Sequence, residues 1–98
     1  MTAAVTRTTT LTVVSSPACH FCDDADRALR LLGEQFAFAV VRVALDSPEG
    51  RRLVEEYRPS MTPLVLVDGE YFSSGWMSRR KLAARLTAAG AARPERSR

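Results

Sequence analysis

Ser15-Ser16-Pro17-Ala18-Cys19-His20-Phe21-Cys22 marks the point where an apolar, β-branched run stops and an amphipathic helix pattern begins. Both cysteines of the chain lie in it. A Cys-x-x-Cys pair at the mouth of a helix sets the first thiol over unpaired backbone N–H groups and the positive end of the helix dipole, which favour thiolate over thiol. The second thiol then sits within reach to resolve a mixed disulfide. Preceded by a strand and followed by βαβ patterning, the spacing reads as a thiol–disulfide redox motif rather than a structural staple.

Other uses of two cysteines compete with this one. A closed zinc site needs four ligands, and the chain offers only His20 beyond the pair, so no metal ligands are assigned. A metal or iron–sulfur cluster shared between two chains needs no further residue here, and no residue signals one. Two inert core cysteines would sit on an apolar face, whereas these flank a strand-to-helix corner.

Upstream of the pair, Thr8-Thr9-Thr10-Leu11-Thr12-Val13-Val14 predicts the first strand, ending at Ser15-Ser16-Pro17. Downstream, Ala25, Ala28, Leu29, Leu31 and Leu32 fall on one side of a helix expected over 19–32, with Gly33 as its stop. Asp23, Asp24 and Asp26 suit the dipole there but should partly offset its effect on Cys19. The run Phe36 to Leu45 is apolar at nearly every position, which predicts a second strand, central or well covered on both faces. Ser47-Pro48-Glu49 carries a helix start, and Leu53, Val54 and Tyr57 give that helix an apolar stripe. After the loop 58–63, Leu64-Val65-Leu66-Val67 opens as a strand, Asp68-Gly69 is a hairpin signal, and Tyr71-Phe72 continues the fourth strand. A last helix capped by Ser78 turns Leu82, Ala83 and Leu86 inward and ends near Gly90.

The order is βαβαββα, a four-stranded mixed sheet flanked by three helices. With 98 residues, 46% of them apolar, the chain reads as one domain over 1–98, ordered from about 8 to 90 with frayed ends. The net charge of +3 comes largely from arginines spread over helix surfaces and the C-terminal tail, which argues against a nucleic-acid partner. No apolar run approaches the roughly 20 residues that span a bilayer, and no cationic-then-apolar leader opens the chain, so no membrane partner and a cytoplasmic location are expected.

Thr62-Pro63 opens a strand, where proline cannot donate to the sheet; the dipeptide alone favours a trans bond. Taken together, Cys19-His20-Phe21-Cys22 after the first strand, Thr62-Pro63 before the third and Asp68-Gly69 in a hairpin resemble the glutaredoxin branch of the thioredoxin superfamily. The resemblance covers about 8–86. It implies a thioredoxin-like fold and a cis Pro63 facing the pair. It also implies a thiol–disulfide oxidoreductase active in electron transport and cell redox homeostasis, with a redox-active centre that cycles through a Cys19–Cys22 disulfide bond. Cys19 is then the nucleophile, Cys22 resolves, and Thr62 hydrogen-bonds the bound thiol's peptide through its backbone.

The remaining substrate-binding candidates are His20 between the cysteines, Phe21 and Trp76 as an apolar lip, and Gly75 in Ser73-Ser74-Gly75-Trp76. Typical family members carry a cation shortly before the pair and an acid after a Gly-Gly, and this chain has neither. No tightly bound cofactor is expected. The electron donor is a thiol reductant: glutathione, another low-molecular-weight thiol, or a reductase. The partner is a disulfide-containing protein or a small-thiol mixed disulfide, met by a monomer. The alternative on the same fold is a non-catalytic, thiol-dependent metal or iron–sulfur carrier.

Overall fold

The computed structural model describes residues 8–93, which form β1 (Thr9–Ser15), α1 (His20–Leu32), β2 (Phe38–Ala44), α2 (Pro48–Tyr57), β3 (Leu64–Val67), β4 (Glu70–Ser74) and α3 (Arg79–Ala88). This is the expected βαβαββα order. β1 runs parallel to β2 and antiparallel to β3, and β3 is antiparallel to β4, giving one mixed sheet in the order β2-β1-β3-β4.

The strand period of two divides the core. Leu11 and Val13 of β1 and Val65 and Val67 of β3 meet Ala25, Ala28 and Leu29 of α1 and Leu82 and Leu86 of α3 on one face. On the other face Val14, Leu64 and Leu66 meet Leu53 of α2. Each fully buried Leu or Val contributes about 1.5–3 kcal/mol relative to an exposed one, so β1 and β3, buried from both sides, anchor the sheet.

The helix ends follow their local chemistry. Ser47 caps α2, its hydroxyl accepting the Gly50 N–H at 3.0 Å and donating to Ala44 O at 2.7 Å. Gly50 is required by close approach: a Cβ there would lie 2.1 Å from Ala44 O and 2.7 Å from Leu45 O. That contact holds α2 down on the end of β2. Ser78 caps α3 by accepting the Lys81 N–H at 3.2 Å. Asp68 and Gly69 have φ of +50° and +84°, as a type I′ hairpin turn demands. Asp68 also ties the turn to β1, accepting the Thr10 N–H at 2.8 Å and donating its own N–H to Thr10 O at 2.7 Å.

Two expectations are corrected. β2 is an edge strand, shorter than 36–45, and none of its residues is buried. Its apolar run is divided between the two faces: Phe38 and Val40 lean on the α1–α3 core, Val43 leans on the α2 core, and Val41 is left exposed because α2 covers only the end of the strand. The C-terminal end is also ordered further than expected. Ala91 is buried, Ala92 forms a bridge with Phe36, and the Ala37 and Arg93 N–H groups donate to Ala91 O and Gln35 O at 2.8 and 2.9 Å. Order therefore extends at least to Arg93, because the stretch after α3 pairs with the segment entering β2. The fraying expected of 1–7 and 94–98 lies outside the described residues.

Candidate active site

β1 ends at Ser15 and the chain turns through Ala18, whose φ is +52°, before Cys19 takes the N-cap of α1 with extended backbone, φ −115° and ψ 112°. Cys19 occupies the place usually filled by Ser, Thr, Asp or Asn, and its Sγ accepts the Cys22 N–H at 3.1 Å. One of the unpaired first-turn N–H groups of the helix is thereby satisfied by the sulfur, and the Asp23 N–H donates to Cys19 O at 3.0 Å. Cys22, one turn in, is only 6% exposed and belongs to the buried stripe of α1. Both are free cysteines in this structure.

The opposite wall comes from the loop before β3. The Thr62-Pro63 bond is cis, as the resemblance implies and contrary to what the dipeptide alone favours. Thr62 meets the Cys19 sulfur twice, through Oγ1 at 3.4 Å and through its carbonyl oxygen, which accepts from the thiol at 3.6 Å. Thr62 Oγ1 is in turn 2.8 Å from Ser16 Oγ. Partial burial works against ionisation of Cys19. Hydrogen bonds from Cys22 and Thr62, with the Ser16 hydroxyl close behind Thr62, outweigh it and hold the thiol below its ordinary value. Burial pushes the Cys22 thiol up, and its hydrogen bond with Cys19 pushes the same way. The two thiols are thus split in the sense that a nucleophile and a resolving partner need.

Around Cys19 lies an open cleft of about 440 Å³ lined by Ser16, Ala18, His20, Phe21, Met61 and Thr62. His20 is exposed and Phe21 half-buried on its rim. Pro63 is buried beneath it, and its carbonyl accepts the Gly75 N–H at 3.1 Å, so Gly75 is brought to this wall through its backbone. Trp76 is not part of the cleft. It is 61% exposed and lines a neighbouring depression of about 420 Å³ with Asp24, Ser78, Arg79 and Arg80. The apolar lip expected of Phe21 and Trp76 is made at the cleft by Phe21 and Met61 instead. The acids of α1 are partly neutralised: Asp26 is paired with Arg42, and Asp24 lies 3.8 Å from Arg79.

A family model described as Glutaredoxin matches residues 11–72, from β1 through the cysteine pair and Thr62-Pro63 into β4. The chain belongs to the glutaredoxin family. Membership makes it a thiol–disulfide oxidoreductase domain in general. Solved structures agree on the fold. An uncharacterized thioredoxin-like protein from Clostridium perfringens superposes with a TM-score of 0.69 at 14% identity, over 85% of this chain and 71% of that one. A protein from Nitrosomonas europaea gives 0.67 at 17% identity over 87% and 99%. Reduced thioredoxin from Schistosoma mansoni gives 0.62 at 19% identity over 83% and 78%. No curated protein sequence matches.

Within this glutaredoxin fold, sequence reasoning missed Ser16 and Met61. Ser16 had a signal: it is a hydroxyl in the turn leading to the nucleophile, where a partner for the sulfur would stand. Met61 had a weaker one, being the neighbour of Thr62-Pro63 and apolar in an otherwise polar loop. Among the described residues no three His, Cys, Asp or Glu side chains converge as a metal site would require, and no helix is long and apolar enough to cross a membrane.

Proposed function

We propose that this chain reduces protein or mixed disulfides through Cys19 and Cys22. The observation that carries the reading is the asymmetry of the pair. Cys19 is partly exposed in a cleft, with its sulfur facing a helix N–H and the Thr62 hydroxyl and its thiol held low, while Cys22 is buried with its thiol pushed up. The Cys19 thiolate attacks one sulfur of the substrate disulfide and releases the other half as a thiolate, which takes a proton from solvent. Cys22 then gives up its proton and attacks the Cys19 sulfur of the mixed disulfide. The second half of the substrate leaves as a thiol, and the two electrons gained by the substrate disulfide as a whole are supplied by Cys19 and Cys22, which end as a disulfide. Two equivalents of an external thiol, or one dithiol, restore the Cys19 and Cys22 thiols and leave as a disulfide.

Phe21 and Met61 flank the cleft for an apolar part of the substrate, and the exposed backbone beside Thr62 serves its peptide. For the small-molecule end, the amides at the start of α3 with Arg79 and Arg80 suit a carboxylate. No cation occupies residues 15–18 to pair with a second one. Losing a charged contact of that kind costs about 1–3 kcal/mol, so glutathione should be a weaker donor than a simple dithiol. The compartment we propose is the cytoplasm, and the donor we propose is a low-molecular-weight thiol or a reductase.

The test is reduction of a protein disulfide with dithiothreitol, glutathione and a thioredoxin reductase in parallel. Cys19→Ser should abolish turnover with every donor, and Cys22→Ser should accumulate a mixed disulfide at Cys19. Unchanged turnover in Cys19→Ser would refute the assignment.

A further inference from the structure

Cys19 keeps its thiol low in a cleft whose flanking segments, 15–18 and 59–64, contain no charged residue. Its charged and titratable neighbours come from the two helices that frame the site. They are His20, Cys22, Asp23 and Asp24 on α1, and Arg79 and Arg80 at the start of α3, where Arg79 is drawn toward Asp24 at 3.8 Å. What contacts the sulfur itself is the Cys22 N–H at 3.1 Å, the Thr62 hydroxyl at 3.4 Å and the Thr62 carbonyl oxygen at 3.6 Å.

Thr62 has a single hydroxyl hydrogen and two neighbours for it, Cys19 Sγ at 3.4 Å and Ser16 Oγ at 2.8 Å. With Cys19 protonated, the S–H has the Thr62 carbonyl and hydroxyl oxygens as acceptors, and the Thr62 hydroxyl is free to donate to Ser16. A thiolate only accepts. Thr62 must then turn its hydrogen to the sulfur, which leaves its lone pairs facing Ser16, and the 2.8 Å contact survives only if Ser16 becomes the donor. We propose that Ser16 is a positioning residue: its hydroxyl donates to Thr62 Oγ1 when Cys19 ionises and so fixes the Thr62 hydroxyl as donor to the nucleophilic sulfur. Ionisation therefore selects one direction for both hydroxyls. The S–H bond breaks, its electron pair stays on sulfur, and the proton passes to a base in solvent. The Thr62–Ser16 hydrogen bond is kept in each state, and polarisation of Thr62 by Ser16 strengthens the bond to the thiolate. The proposal rests on the reading of Cys19 as the nucleophile.

The experiment is the pH dependence of Cys19 alkylation in the reduced full-length protein, with the labelled sulfur assigned by fragment mass spectrometry. Ser16→Ala should move the midpoint to higher pH and slow labelling near neutrality about three- to tenfold, the effect of losing one neutral hydrogen bond behind the donor. Ser16→Thr, which keeps the hydroxyl, should restore it. Thr62→Val should shift the midpoint at least as far, and Ser16→Ala/Thr62→Val no further than Thr62→Val alone. An unmoved midpoint in Ser16→Ala, failure of Ser16→Thr to rescue, or additive shifts in the double variant would each overturn the relay. Denaturation midpoints close to wild type keep a folding fault from imitating the effect. Because alkylation needs no disulfide substrate, shifts as expected in a protein without turnover would sink the oxidoreductase reading and leave the relay standing.

Discussion

Cys19 and Cys22 are the same residue type three positions apart, and their surroundings drive them in opposite directions. Burial raises both thiols, but at Cys19 the donors from Cys22 and Thr62, with the Ser16 hydroxyl close behind Thr62, reverse it. Limiting iodoacetamide should therefore label Cys19 first, and its lead over Cys22 should widen as the pH is lowered below the ordinary thiol range, where Cys19 alone keeps appreciable thiolate. Peptide mapping decides this, and faster labelling of Cys22 would reverse the roles. Ala18 gives a second expectation. An alanine at φ +52° sits where L-residues are disfavoured by about 1–2 kcal/mol, while glycine would gain unfolded-state entropy of about 0.4–1 kcal/mol. Ala18→Gly should be neutral or stabilise the protein by up to about 1 kcal/mol, against the usual effect of glycine, as a chemical denaturation curve will read. The motif Cys19-His20-Phe21-Cys22 was legible because its meaning is local. The left-handed turn at Ala18 was not, since nothing in an alanine announces positive φ.

The elements form where their patterns put them. Cys19 starts α1, Ser47 and Pro48 start α2, and Ser78 starts α3, each because a cap satisfies N–H groups within three residues of itself. How elements meet is another matter, and Gly50 illustrates it. Gly50→Ala puts a methyl 2.1 Å from Ala44 O, a backbone atom that cannot yield without moving α2 off β2. The substitution should cost about 1–3 kcal/mol and lower the melting temperature, although alanine is the better helix former. An unchanged melting curve would mean that α2 shifts freely. Asp68→Ala at the hairpin should cost about 1 kcal/mol, since the Thr10 N–H loses its partner on the turn. Reading Phe36 to Leu45 as a central or well-covered strand failed for a related reason. Apolar residues on successive positions signal two apolar contacts, but an edge strand meets that condition when its two halves lean on different cores.

For the molecule as a whole, the split thiols link stability to pH in the reduced state. Cys19 has a folded value below its unfolded one, so it contributes stability that is present above the unfolded value and lost as pH falls through the folded value. Cys22 has a raised folded value, so its contribution is present below the unfolded value and lost as pH rises through the folded one. Stability of the reduced protein should climb toward the ordinary thiol value and decline beyond it. Cys19→Ala should remove the climb and Cys22→Ala the decline, as urea midpoints taken across that range will read. The sequence by itself determined the element order, the hairpin, the helix caps and the cysteine pair at a strand-to-helix corner, because these depend on periodicity and hydrogen bonds between residues a few positions apart. Only the tertiary structure decided that β2 lies at the sheet edge, that residues 91–93 pair with the segment entering β2, and that Met61 rather than Trp76 flanks the cleft. It alone brought Ser16 to Thr62, 46 residues away, and both to Cys19. Such contacts follow from the antiparallel pairing of β1 with β3, Val14 opposite Leu64, a long-range register that depends on how all the elements pack at once and leaves no local pattern in the residues that meet.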